Sequence, residues 1–294
     1  LLVEGHAVVR EVEIAAIRGF DVGVFHAQQI QARSARRQFP FLFFKTLCHD
    51  FTVCGSVPQL GVVGQRSLNT QALSRPRSAL GCDKMSDLIH DVHPAHEDFL
   101  RDESRRVGRA ESISFATSTD EIRQALAHAA SQGAGVTVQG GRTGITAGAV
   151  PDGGHVLNLS RMNRILGLRE DREGKRFLLR VQPGVLLTDL RAALLRKEFD
   201  TTGWSAESLS ALEAFRAAAP HFFPPDPTET TATIGGMISC NASGACSFLY
   251  GPTRRYVDRV CVVLADGSLL DLARGRFHTD GRRFSFVAEG RAVE

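Results

Sequence analysis

The run Gln139-Gly140-Gly141-Arg142-Thr143-Gly144-Ile145-Thr146-Ala147-Gly148 combines residue types that bind phosphate. Glycine lets successive backbone N–H groups converge on an anion where a side chain would block the approach. Thr143 and Thr146 add hydroxyl donors, so a pyrophosphate is the natural guest, and a side chain added at Gly141 would meet its oxygens. Two familiar phosphate loops do not fit. Gly140 and Gly141 are adjacent, so the G-x-G-x-x-G spacing is absent. No lysine follows these glycines, as a P-loop requires. A tight strand-to-loop connection would also be glycine-rich.

A second segment strengthens the ligand reading. Phe222-Phe223-Pro224-Pro225-Asp226-Pro227-Thr228 has three prolines, which fix an extended backbone. Then Thr233-Ile234-Gly235-Gly236 again permits close approach, and the run from Gly235 to Gly244 is rich in small residues. Such a run suits backbone packed against a planar ligand, or equally a tightly packed core. Tyr250-Gly251-Pro252-Thr253-Arg254 reads as a further turn. His90, His93 and His96 are three apart, but Pro94 interrupts any helix that would align them, so no metal site is expected. His221 reads as a packed or exposed histidine, and Cys240 and Cys246 as core thiols.

Regular elements must hold these loops. Gly135-Val136-Thr137-Val138-Gln139 reads as a strand running into the glycine loop. Ser118-Thr119-Asp120-Glu121 predicts a helix start through a capping box. Ile122, Leu126 and Ala129 then share one helical face, and Gly133 ends the helix. His155–Leu159 and Phe177–Val181 are strand candidates, and Thr188–Lys197 is helical, with Leu190 and Leu194 one turn apart. Leu209, Leu212 and Phe215 also have helical spacing. Val260–Leu264 and Ser268–Leu272 flank Ala265-Asp266-Gly267, a hairpin signal. The irregular mixture of strands and helices predicts an α+β fold.

A hydrophobic content of 43% over 294 residues supports a proper core. The formal charge of +3 leaves no electrostatic footprint for nucleic acid. No run of about 18 apolar residues occurs, so no transmembrane segment is expected. Six cysteines without a CxxC pair point to a reducing, cytoplasmic setting. Before Met85, the first methionine, no helical or strand period is sustained. Residues 1–84 are therefore expected to be a non-native or disordered extension, with a genuine N-terminal domain as the other reading. The folded domain is expected over 85–294.

Six ordered motifs together resemble a known family. They are Gly140-Gly141-x-Thr143-Gly144 with Gly148-x-x-Pro151, Val181-Gln182-Pro183-Gly184, Pro224-Pro225-Asp226-Pro227-Thr228, Ala232-Thr233-Ile234-Gly235-Gly236-Met237, Asn241-Ala242-Ser243-Gly244 and Tyr250-Gly251-Pro252-Thr253-Arg254. The chain is similar to the PCMH-type FAD-binding domain of the vanillyl-alcohol-oxidase/p-cresol-methylhydroxylase superfamily. Within it the resemblance is to the FAD-linked glycolate oxidase subunit and D-lactate dehydrogenase group.

The resemblance implies a domain of two α+β subdomains. It implies that Gln139, Gly140, Gly141, Arg142, Thr143 and Gly144 wrap the FAD pyrophosphate. Asp226, Pro227, Thr228, Gly235, Gly236, Asn241, Ala242, Ser243 and Gly244 would line the isoalloxazine and ribityl chain. Gly148, Pro183, Gly184, Pro225, Thr233, Cys240, Tyr250 and Gly251 complete the implied cofactor set. Some relatives attach flavin through a histidine in the first loop. Arg142 cannot make that bond, so non-covalent FAD is expected. The implied reaction oxidises a 2-hydroxy acid such as D-lactate, glycolate or D-2-hydroxyglutarate by hydride transfer to flavin N5. A flavin reductase of the UDP-N-acetylenolpyruvoylglucosamine type is the alternative within the fold, and an inactive flavin-binding subunit with partner chains is a third reading. The family's Gly-x-Glu-Gly-Thr-Leu-Gly motif and cap domain do not appear before Glu294. The sequence thus reads as C-terminally truncated and inactive alone, with its catalytic base and electron acceptor unassigned.

Overall fold

A computed structural model describes residues 8–18, 87–171, 176–276, 286–288 and 291–293. Its first sheet contains β2 (Ile89–Asp91), β3 (Ser112–Phe115), β4 (Val136–Gln139) and β5 (His155–Asn158), in the order β2-β3-β5-β4. β3, β5 and β4 are parallel, and β2 runs antiparallel to β3. Parallel strands need a crossover, which helix α1 (Thr119–Ser131) supplies between β3 and β4. Its buried face is Ile122, Ala125, Leu126 and Ala129, and Gly133 follows at φ +63. The Ser118 hydroxyl accepts the Glu121 N–H at 3.2 Å, as a cap should. Glu121 reaches one residue further back than the predicted box, to the N–H and hydroxyl of Thr117 at 2.7 and 2.8 Å.

All four residues of β5 are buried. Two of them are polar and hydrogen-bonded, as burial demands. The His155 ring lies between the Ser112 hydroxyl, 2.9 Å from Nδ1, and the Ser114 hydroxyl, 2.8 Å from Nε2. Burial, with a smaller push from His128, lowers its pKa from 6.5 to about 4.

The second sheet is antiparallel, ordered β10-β9-β1-β7-β6, from β1 (Val8–Arg18), β6 (Ile165–Asp171), β7 (Arg176–Val181), β9 (Val257–Val263) and β10 (Leu269–Ala273). β8 (His221–Phe222) pairs with the end of β1. The predicted hairpin is β9–β10, with Val263 opposite Leu269 and Gly267 at φ +81. Helices α2 (Leu187–Arg196) and α3 (Ala206–Ala217) belong to this subdomain, and Leu187, Leu190, Leu194, Leu212 and Phe215 share a core with Leu179 and Val181 of β7. The architecture is thus the predicted α+β class. β11 (Phe286–Ala288) and β12 (Arg291–Val293) form a separate ladder. Among the described residues no helix is long and apolar enough to cross a membrane.

The position of β1 departs from the expectation for residues 1–84. Val8–Arg18 lies between β7 and β9, hydrogen-bonded on both sides. Val12, Ile14 and Ala16 are buried in the helix-covered core. Glu11 and Glu13 face the other way, reaching Arg180 at 3.1 Å and Arg169 at 2.9 Å. Period-two alternation of this kind belongs to a half-buried strand, and its partners lie far along the chain. The remaining residues before Asp87 are outside the described set.

Two measurements check this account. Ile14 has no exposed surface, and a carboxylate there would be buried unpaired. Ile14→Asp is therefore expected to cost about 3 kcal/mol or more in urea unfolding, whereas a cost under about 0.5 kcal/mol, typical of surface sites, would remove β1 from the sheet. His155 stays neutral in the fold while the unfolded chain takes up a proton below pH 6.5. Stability should then fall as pH drops from 6.5 towards about 4, by up to about 3 kcal/mol at about 1.4 per pKa unit. His155→Gln should flatten that slope, and an unchanged slope would assign it elsewhere.

Candidate functional site

Thr233 is where the loops meet. It caps the short helix α4 (Ile234–Ser239), and its hydroxyl accepts the N–H of Gly236 at 3.3 Å. The same oxygen accepts the N–H of Gly141 at 3.3 Å, joining the glycine loop to the second segment. A third strand of chain closes the junction. Gly235 N–H donates to Pro183 at 2.8 Å, Ile234 N–H to Val185 at 2.9 Å, and Leu187 N–H to Ala232 at 3.0 Å.

This packing divides the predicted glycines into two kinds. A Cβ at Gly140 would lie 2.2 Å from the Thr233 hydroxyl, and one at Gly141 would lie 2.9 Å from the Thr231 carbonyl. At Gly184 it would meet the Leu159 carbonyl at 2.3 Å, and at Gly235 the Pro183 side chain at 2.6 Å. These glycines leave room for protein atoms packed directly on the backbone. Gly141 is thus not where an added side chain would meet a ligand first. Gly144 and Gly148 have nothing within 4 Å of an added Cβ. The open part of the loop runs from Thr143 to Gly148, with Ile145 and Thr146 exposed.

The Gln139 side chain is engaged within the protein. Its buried amide donates to the carbonyls of Phe99 and Ala149, both at 2.7 Å, and its oxygen accepts from Asn158 at 3.4 Å. The side chain is spent on holding the loop. Arg142 sits at φ +55 with its guanidinium 4.4 Å from the Phe99 ring centroid, a cation–π contact. Partial burial lowers its pKa, against a pull from Asp98.

The second segment is braced from behind. Asp226 pairs with Arg191 of α2 at 2.8 Å, and Arg191 also donates to the Pro225 carbonyl at 2.9 Å. The Cys246 thiol donates to Asp226 at 3.4 Å, and burial, then Asp226, push its pKa up. Gly244 lies so close to the Asp226 carbonyl that any Cβ would collide, and Pro227 bridges Gly244. The Asn241–Gly244 loop is tied to the following turn, where Arg254 N–H donates to Asn241 Oδ1 at 3.0 Å and the Thr253 hydroxyl to the Ala242 carbonyl at 2.7 Å. Thr228 and Ser243 are exposed beside these contacts. Tyr250 packs on Phe222, and Gly251 lies against Arg255, not against the Thr233 junction.

Cys240 is exposed at the end of α4, which corrects its reading as a core thiol. His221 is buried, edge-on to Phe177 at 4.9 Å. His90 and His93 are exposed, and no group of three or more His, Cys, Asp or Glu among the described residues could hold a metal ion.

The exposed loop offers backbone N–H groups and the Thr143 and Thr146 hydroxyls. Arg142 is the one charge between Gln139 and Val150. That donor set fits an anionic dinucleotide phosphate, and acidic side chains are absent from the loop.

Comparison with known proteins agrees. Residues 110–205 and 202–273 match the family model of an FAD binding domain. The chain is similar to D-lactate dehydrogenase of Anaerostipes hadrus, 37% identical over 180 residues, covering 60% of this chain and 32% of that protein. It is similar to glycolate oxidase subunit GlcD of Bacillus subtilis, 32% identical over 155 residues, covering 52% and 27% respectively. A D-2-hydroxyglutarate dehydrogenase of Xanthomonas citri is 31% identical over 180 residues, covering 60% and 32%. The chain spans about a third of the length of the curated relatives it matches. The family match covers more than half of the chain, and the protein belongs to the FAD-binding-domain family.

Proposed function

We propose that this chain holds FAD for an oxidoreductase acting on a 2-hydroxy acid of the D-lactate, glycolate or D-2-hydroxyglutarate kind. The observation that carries the reading is the open Thr143–Gly148 segment, fixed at one end by Thr233 and free of acidic side chains. Its backbone N–H groups and threonine hydroxyls would bind the pyrophosphate, with Arg142 balancing charge. The Asp226–Thr228 turn and the Asn241–Gly244 loop would line the ring and ribityl chain, and their bracing by Arg191 and Thr253 would hold them in register. Bound FAD supplies the hydride acceptor at flavin N5. The chain's own part is to orient the cofactor and keep water from its buried face. The names of the relatives supply the substrate class.

The cofactor is held without a covalent link, since Arg142 stands where the resemblance puts an attachment histidine. Acid precipitation is expected to release yellow flavin into the supernatant, and colour retained in the pellet would overturn this. Gly148 has an ordinary backbone conformation and open space around it. Gly148→Val should weaken FAD binding about tenfold or more while leaving apoprotein melting unchanged. Gly140→Val should instead lower the melting temperature, because its side chain meets Thr233. Equal FAD affinity in wild type and Gly148→Val would move the cradle elsewhere. For the substrate, the whole protein containing this chain, loaded with FAD, should lose its flavin absorbance when D-lactate, glycolate or D-2-hydroxyglutarate is added without oxygen. Persistence of the absorbance with all three would end the hydroxy-acid assignment.

A further inference from the structure

The open segment of the phosphate loop needs a second tether, because Thr233 holds it only at Gly141. That tether is at Ala149. The Gln139 amide donates to the Ala149 carbonyl at 2.7 Å. The Ala149 N–H donates to Asp102 Oδ2 at 3.4 Å. Both backbone polar groups of one residue are thus held by side chains.

Asp102 is well placed for this. It is only 9% exposed, and its other oxygen, Oδ1, accepts the Ser104 N–H at 2.9 Å. The turn that carries it is closed by the bridge between Arg101 and Val107 and by the Gly108 N–H donating to Leu100 at 2.7 Å. The turn also packs directly on the chain that follows the loop. Arg109 N–H donates to Pro151 at 3.1 Å, and a Cβ at Gly108 would lie 1.9 Å from the Pro151 carbonyl. The turn therefore transmits its position to Ala149 and Pro151. Between the two tethers the Glu103 N–H donates to the Arg142 carbonyl at 3.3 Å, and an added Cβ at Gly144 or Gly148 would meet nothing within 4 Å.

We propose that Asp102 is a positioning residue for FAD: with Gln139 it fixes Ala149, so that the Thr143–Gly148 N–H groups are already aimed before the pyrophosphate arrives. The proposal rests on the FAD reading above. Asp102 lies outside the residues that match the FAD-binding family model. Preorganised donors bind more tightly because the cost of ordering them is met during folding. The carboxylate touches no ligand and acts only through the loop.

Asp102→Asn is the informative substitution, since an asparagine oxygen can accept from Ser104 or from Ala149 but not from both. In the apoprotein, deuterium exchange at the Ala149 amide should be slow beside that at Gly144 and Gly148. It should speed up about tenfold in the variant, the scale of one lost charge-assisted hydrogen bond. FAD affinity, measured by flavin fluorescence titration of the full chain, should fall by about the same factor, while the apoprotein stays folded with a melting temperature only a few degrees lower, as one lost hydrogen bond requires. Asp102→Glu, which keeps both acceptors, should recover part of the affinity. Wild-type exchange at Ala149 as fast as at Gly148 would overturn the proposal, without need of any variant. So would FAD affinity in Asp102→Asn within twofold of wild type, well below the tenfold expected for the lost bond. A wild type that binds no FAD would sink the cofactor reading and with it the role towards FAD, and the exchange comparison, which needs no cofactor, separates that failure from a failure of Asp102 to fix the loop.

Discussion

The hydroxyl of Thr233 accepts two N–H groups, one from its own helix and one from Gly141, nearly a hundred positions earlier in the chain. Much of the site depends on that shared oxygen. It sets how the glycine loop sits on the start of α4, and the close packing leaves no room for a side chain at Gly140, against Thr233, or at Gly235, against Pro183. A buried acceptor with two donors is also expensive to lose, since each donor would be left without a partner. The site is therefore built chiefly from main chain, with side chains acting as braces.

The braces follow one pattern. Gln139, Asp102, Arg191 and Thr253 each bond backbone groups of a loop that faces outward, with Arg191 also pairing with Asp226 and Gln139 accepting from Asn158. Loops with exposed donors can keep a binding geometry only if their ends are fixed by such contacts. The two sheets provide the fixed ends. β4, paired with the fully buried β5, delivers the first loop, and β7 leads through Pro183 directly to the Thr233 junction.

The second sheet depends on β1 in a similar way. Without it β7 and β9 would be edges with unpaired backbone groups. Its Glu11 and Glu13 carry the solvent side through Arg180 and Arg169, while Val12, Ile14 and Ala16 fill the core beneath the helices. Exposed ion pairs of this sort add little stability, so the apolar side supplies the energy and the charges chiefly distinguish the two faces.

The sequence by itself determined the local elements: α1 with its serine cap and glycine stop, the β9–β10 hairpin about Asp266-Gly267, and the strand that delivers the glycine loop. Each is specified within a few residues, by capping oxygens, by alternation and by turn chemistry, so one stretch of chain contains its whole cause. It also determined the family, because the glycine and proline motifs keep their order and spacing. Only the tertiary structure decided which glycines border open space and which face protein. Gly141 and Gly148 look alike in the chain, but one is filled by Thr231 and the other is open. It alone showed the Gln139 side chain bracing the loop and Cys240 exposed. It placed Val8–Arg18 at the centre of a sheet whose other strands begin at Ile165. The physical reason is common to all of these. A side chain's role depends on its neighbours in space, and those neighbours come from distant parts of the chain that local periodicity cannot join.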